Sequence, residues 1–117
     1  MISYYWDRAD DSIHRCAFDD ARVLQQWRDF ASRRVAFDFV NGYCVSTVFL
    51  ATDHNWFGSG EPLLFETMVF AGDELGDGWV DPFCDRYSTA AAARLGHAAV
   101  VEALRAGKTP AEIGGAP

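Results

Sequence analysis

Apolar and polar residues alternate most regularly between residues 33 and 50. There RRVAFDFV and YCVSTVFL, both rich in β-branched and aromatic residues, flank Asn41-Gly42. Asn-Gly is the pair favoured at the two positive φ angles of a type I′ turn, so these segments predict a β-hairpin. In the first arm Val35, Phe37 and Phe39 share one face and Ala36, Asp38 and Val40 the other. In the second, Tyr43, Val45, Thr47 and Phe49 oppose Cys44, Ser46, Val48 and Leu50. A loop over 51–61 containing Gly58 and Gly60 leads to PLLFETMVF, residues 62–70, with Pro62 at its first position, where a missing N–H matters least. Leu63, Phe65, Thr67 and Val69 alternate with Leu64, Glu66, Met68 and Phe70. Both faces are largely apolar, which predicts a central strand.

The period changes elsewhere. FDDARVLQQWRDFAS offers Asp19 and Asp20 for an N-cap and first turn, then Val23, Leu24, Trp27, Phe30 and Ala31 at helical spacing. This predicts an amphipathic helix of about three turns. RYSTAAAARLGHAAVVEALRAG predicts a second helix, capped by Ser88 or Thr89 and stopped by Gly107, with Ala93, His97, Val100, Val101 and Leu104 along one stripe. Thr109, Pro110 and Glu112 match a capped final helical turn. At the start, ISYYWDRADDSIH fits either a short hairpin or an extended edge segment. Residues 71–85, with Asp73, Glu74, Asp77, Asp81 and Asp85, read as an acidic loop.

These elements predict an α+β fold: a small antiparallel β-sheet of three to four strands with two α-helices packed on it, forming a single domain over 1–107 followed by a tail over 108–117. Two helices cover one face of such a sheet. Tyr4, Tyr5, Trp6 and Trp79 are then left over as candidates for a homodimer or partner interface.

Composition narrows the function classes. The chain has 117 residues, half of them hydrophobic and 15% aromatic, which suits one folded domain. Seventeen acids against ten bases give a formal charge of −7, with Lys108 the sole lysine. Binding nucleic acid through phosphate neutralisation needs a basic surface and is disfavoured. No apolar run approaches the roughly 18 residues of a membrane helix, and MISYYWDRADD lacks the basic end and apolar middle of a signal peptide, so a cytoplasmic location is expected. Cys16, Cys44 and Cys84 are widely spaced, without a Cys-x-x-Cys pair, and read as reduced structural thiols.

Candidate chemistry is sparse. His54, Glu66 and His97 are the residue types of a catalytic zinc site, yet no pair has the usual local ligand spacing, so no metal or cofactor is expected. Glu66 on an apolar strand face needs a partner against desolvation, and His97 and Arg86 are the candidates for a buried polar network between helix and sheet. Asp53-His54-Asn55-Trp56 reads as a self-bonded loop, with Asp53 and Asn55 bonding nearby backbone. Asp73, Asp77 and Gly78 match a calcium loop in part, but Leu75 and Cys84 stand where two ligands belong. Ser46, Ser59 and Ser88 lack a nucleophile-elbow context, and no catalytic residue is assigned.

Between residues 47 and 97 the chain carries TVFL, DHNW, PLLFETMVF, DRYST and a helical Gly-His. That pattern resembles small uncharacterised proteins encoded by bacteriophages and prophages, often of high-GC hosts. The matching positions are Asp53, His54, Asn55, Trp56, the block Phe65 to Phe70, Arg86, Tyr87, Thr89 and His97. Ala51-Thr52 and the length of the 73–85 loop depart from it. The resemblance implies an origin more than a mechanism: a small acidic phage-type accessory protein that binds a protein partner in the host cytoplasm, inhibits a host or defence process, and performs no catalysis. The alternative is a small-ligand or metal-binding domain using Asp53, His54, Glu66 and His97. The ligand-binding candidates are Asp53, His54, Glu66, Arg86, Tyr87 and His97.

Overall fold

The computed structural model describes residues 2–55, 60–71 and 83–114. Trp56, Phe57, Gly58, Trp79 and the acids from Asp73 to Asp81 lie outside them. The fold is α+β, as expected. Strands β1 (Ile2–Asp7) and β2 (Ser12–Ala17) form an antiparallel hairpin, followed by helices α1 (Ala21–Arg28) and α2 (Phe30–Arg33). Then come β3 (Arg34–Val40), β4 (Tyr43–Phe49), β5 (Phe65–Ala71), β6 (Cys84–Tyr87), α3 (Ala90–Arg105) and α4 (Pro110–Ile113). The last four strands make an antiparallel sheet in the order β3-β4-β5-β6.

The β3–β4 turn forms as its residues dictate, with φ of +50° at Asn41 and +81° at Gly42. The Asn41 amide also donates to the Leu104 carbonyl at 2.7 Å, tying the turn to the end of α3. β5 aligns with β4 through Thr47↔Thr67 and Phe49↔Phe65. Leu64 extends that pairing one residue outward, accepting from the Leu50 N–H and donating to the Tyr87 carbonyl. β6 lies where a loop and helix start were expected. It is short and polar, and takes strand form by pairing with β5, Glu66 opposite Arg86 and Phe65 opposite Tyr87.

α3 covers one face of this sheet. Its buried stripe is the predicted one, Ala93, His97, Val100, Val101 and Leu104, together with Ala90. Thr89 caps its N-terminus by accepting from the Ala92 N–H, and Gly107 follows its end at φ +94°. Two apolar clusters form beneath it. One joins Trp6, Phe49, Leu64, Phe65, Ala90 and Ala93; the other joins Val45, Val69, Phe83, Val100, Val101 and Leu104. Thr109 and Glu112 of α4 form the expected capping box. Pro110 is buried and Ile113 packs on the second cluster, so the segment expected as a tail contributes to the core.

Two expectations are corrected. Trp6, proposed for an interface, is a core residue whose ring centroid lies 5.9 Å from Phe49 and 5.4 Å from Phe65. The predicted first helix is two helices that do not lie with α3 on the sheet; α1 lies against β1. The Gln26 side chain holds it there, accepting from the Trp6 N–H at 3.1 Å and donating to the Trp6 carbonyl at 2.9 Å. Asp29 makes the break: its N–H closes α1 on the Gln25 carbonyl, while its carboxylate accepts from the Ala31 N–H and opens α2. Val23 and Gln26 face inward, and Trp27, Phe30 and Leu24 face solvent.

Gly96 of α3 lies directly against the Tyr87 side chain of β6. A Cβ there would fall 2.5 Å from the Tyr87 ring carbons Cε1 and Cζ. Alanine ordinarily stabilises a helix interior by about 1 kcal/mol over glycine. Here the sign reverses: Gly96→Ala is expected to destabilise by about 1–3 kcal/mol through overpacking, read as a lower denaturant midpoint.

Candidate functional site

The six ligand-binding candidates fall into three separate places. Asp53 and His54 belong to the loop after β4. The Asp53 carboxylate accepts from the Asn55 N–H at 2.7 Å and the Leu63 N–H at 2.9 Å. His54 Nδ1 is 2.9 Å from the Thr52 carbonyl, and its N–H donates to the Leu63 carbonyl. Asn55 donates to the Glu61 carbonyl at 3.2 Å. These bonds hold the loop to itself and to the segment leading into β5.

Glu66 and Arg86 form the second place. Strand alternation turns Glu66 away from α3, because its neighbours Phe65 and Thr67 face the helix. Arg86 Nε donates to Glu66 Oε2 at 2.9 Å, and the Cys84 thiol donates to the same oxygen at 3.4 Å. Of the two partners foreseen for Glu66, the structure supplies Arg86; His97 lies on the opposite face. Burial and then the Glu66 carboxylate push the Cys84 thiol up to about 11.

His97 and Tyr87 belong to the third place, under α3. His97 Nε2 lies 2.7 Å from Asp38 Oδ2, and its Nδ1 lies 2.8 Å from Thr47 Oγ1, which is 2.5 Å from Thr67 Oγ1. The protons close with the Nε2–H tautomer: Nε2 donates to Asp38, Thr47 donates to Nδ1, and Thr67 donates to Thr47. Tyr87 sits at the far end, its hydroxyl buried without a well-formed hydrogen bond. Burial raises the Tyr87 hydroxyl above its ordinary range, opposed by the nearby Thr67.

Carboxylate, imidazole and hydroxyl in this order match the roles of an acid-base-nucleophile triad. A nucleophile must face space that a substrate can occupy, and Thr47 and Thr67 are both fully buried between strand and helix. Only the Asp38 end is open, with 53% of its side chain exposed against 5% for His97. The arrangement positions α3 on the sheet, with the two hydroxyls closed off from solvent. Among the described residues, no three of His, Cys, Asp and Glu come together as a group that could hold a metal ion.

The most distinctive surface was missed from the sequence. Arg33 and Arg34, at the α2–β3 junction, stack on aromatic rings. The Arg33 guanidinium carbon lies 4.4 Å from the Trp27 ring centre and 5.3 Å from that of Phe30. That of Arg34 lies 5.4 Å from Phe30 and 4.8 Å from Phe37. Trp27, Phe30 and the neighbouring Phe39 are 55%, 47% and 53% exposed. Neither arginine makes an ion pair or side-chain hydrogen bond among the described residues, and Arg33 Nε is buried without a partner. By contrast, Arg22, Arg86, Arg94 and Arg105 each hold a carboxylate. Burial lowers the Arg33 guanidinium from its ordinary value. One signal was present in the sequence: Arg8, Arg15, Arg22, Arg28, Arg33 and Arg34 place six of the ten basic residues in the first 34.

No family model, curated protein or solved structure matches the chain.

Three outcomes are expected. His97→Ala leaves a cavity and the Thr47 hydroxyl with one partner fewer, a loss of about 2–4 kcal/mol. Asp38→Ala, at the exposed end, loses about 1 kcal/mol or less; urea midpoints of the two variants test the difference. For Cys84, the folded pKa lies above the unfolded one. Its contribution to stability is therefore present below about pH 9 and lost as pH rises through 11. Glu66→Gln removes the carboxylate that raises it, so the thiolate absorbance attributable to Cys84, by difference from Cys84→Ser, is expected to appear at lower pH.

Proposed function

We propose that this is a phage-type accessory protein that acts by binding a protein partner, inhibiting a host or defence process without chemistry of its own. The resemblance across residues 47–97 supports the origin. The observation that carries the binding mode is the stacked surface of Trp27, Phe30, Arg33, Arg34 and Phe37, with Phe39 beside it. Tryptophan, phenylalanine and arginine are enriched at protein interfaces and dominate their hot spots, while isolated exposed apolar residues are ordinary. Here they are contiguous and already ordered, which lowers the entropy lost on binding. Gln26 anchors α1, which carries Trp27, to the β1 backbone, and Asp29 caps α2, which begins with Phe30.

The test is quantitative affinity capture from host cells with wild type and with Trp27→Ala, at matched thermal midpoints. One protein enriched by wild type and reduced about tenfold or more by the substitution is expected, as for loss of a hot-spot aromatic. Capture indifferent to Trp27 overturns the assignment of this surface.

A further inference from the structure

Resting on that reading, the geometry points to a particular partner chemistry: we propose that the Arg33–Arg34 corner and the outer edge of β3 take an extended acidic segment of another protein, its carboxylate lying two residues from an apolar side chain.

Three observations carry this. First, both guanidinium groups lie over aromatic rings, and Arg34 is exposed without a carboxylate partner among the described residues; a planar guanidinium receives a carboxylate bidentately along its edge. Arg33 Nε is buried and has no hydrogen-bond partner among the described residues. An anion that reaches the accessible part of this guanidinium meets a cation that has lost part of its hydration, so the pair forms with less desolvation still to come. Between Arg22 and Phe37 the chain carries four arginines and one acid, Asp29, so this corner is basic on a protein of net charge −7.

Second, β3 ends the sheet, and its outer backbone edge pairs with no strand among the described residues. An extended segment can add there through main-chain hydrogen bonds. Third, the register sets the side-chain pattern. The irregularity between Arg34 and Ala36 leaves Arg34 stacked on Phe37, and Phe39 follows two residues later on that face. An added strand presents alternate residues to this face, so a carboxylate over Arg34 places its neighbours two and four positions away over Phe37 and Phe39. Asp38 turns to the α3 side, where it holds His97, and does not oppose the incoming acid. A polyphosphate chain is the poorer fit, because a body of charge −7 repels a long polyanion that this small basic corner cannot neutralise.

The experiment is selection of a random-peptide display library on the purified protein, followed by fluorescence anisotropy with the strongest selected peptide. Expected are sequences with Asp or Glu two positions from an aliphatic or aromatic residue. Binding should fall about tenfold or more in both Arg34→Lys, which keeps the charge and loses the planar fork, and Phe39→Ala. Unchanged unfolding midpoints confirm that both variants fold. N-methylation of the peptide backbone should abolish binding if the strand adds to β3. Selected peptides without acids, or affinity unchanged in Arg34→Lys, overturn the proposal. A wild-type dimer that dissociates in Arg34→Ala by sedimentation also overturns it, in favour of a second copy. If no peptide is enriched while host-cell capture still depends on Trp27, protein binding stands and the acidic-strand proposal falls. If capture is also indifferent to Trp27, both fall.

Discussion

α3 can lie on the sheet in one position because His97 must reach two partners at once, Asp38 on β3 and Thr47 on β4. The polar row Asp38–His97–Thr47–Thr67 runs between the two apolar clusters, with Phe49, Phe65 and Ala93 on one side and Val45, Val69 and Val100 on the other. Apolar packing alone tolerates small slides of a helix, since Ala, Val and Leu accept many neighbours. A buried imidazole does not, because a shift of one turn would set it against apolar side chains and strand two threonine hydroxyls. Gly96, one residue earlier, lets the helix backbone come down onto Tyr87 at the same level. Hydrogen bonding fixes the position of α3, and burial supplies most of the attraction.

This anchoring leaves the proposed binding surface to other elements. α3 takes one face of the sheet, the β1–β2 hairpin adds Trp6 to the end of the core, and α1 is tied to β1 by Gln26. The α1–α2 break and the outer edge of β3 take no part in these contacts. Within α1, Val23 and Gln26 are buried while Leu24 and Trp27 are exposed, so the seating of α1 on β1 already leaves Trp27 outside. Asp29 then caps the second helix with its side chain while its own N–H ends the first, and Phe30, at the start of α2, is exposed as well.

The same contrast explains what could be read in the sequence. The Asn41-Gly42 hairpin, the cap and stop of α3 and the box at Thr109 were legible because each signal lies within a few residues of what it controls. The buried stripe of α3 was legible because its other side is alanine and charge, with Leu95 the one large apolar exception. For the first helical segment, period 3.6 was present without a statement of where water lies, and Trp27 was assigned inward on apolarity alone. β6 was hidden because Cys84 to Tyr87 is four residues with two charges, a strand only by virtue of its neighbour. Glu66 and His97 were suspected of sharing a network because both are polar residues in apolar runs. Alternation separates Glu66 from Thr67, but which of the two faces the helix depends on long-range packing.

Charge then acts at two ranges. At physiological ionic strength exposed charges are screened beyond about 8 Å, so the net charge of −7 governs approach while contact is governed by the few groups in reach. An acidic body discourages indiscriminate association with other acidic proteins and with nucleic acid. Under the proposed reading a carboxylate is favoured where Arg33 and Arg34 stand together over aromatic rings without an acid partner among the described residues, provided its chain also fits the edge of β3 and the rings of Phe37 and Phe39. For the proposed partner, repulsion over most of the surface combined with attraction at one shaped corner would give selectivity that a uniformly basic surface lacks. The rings beside Arg33 and Arg34 hold the two cations in place in the absence of an anion, so the proposed site would need little ordering on binding.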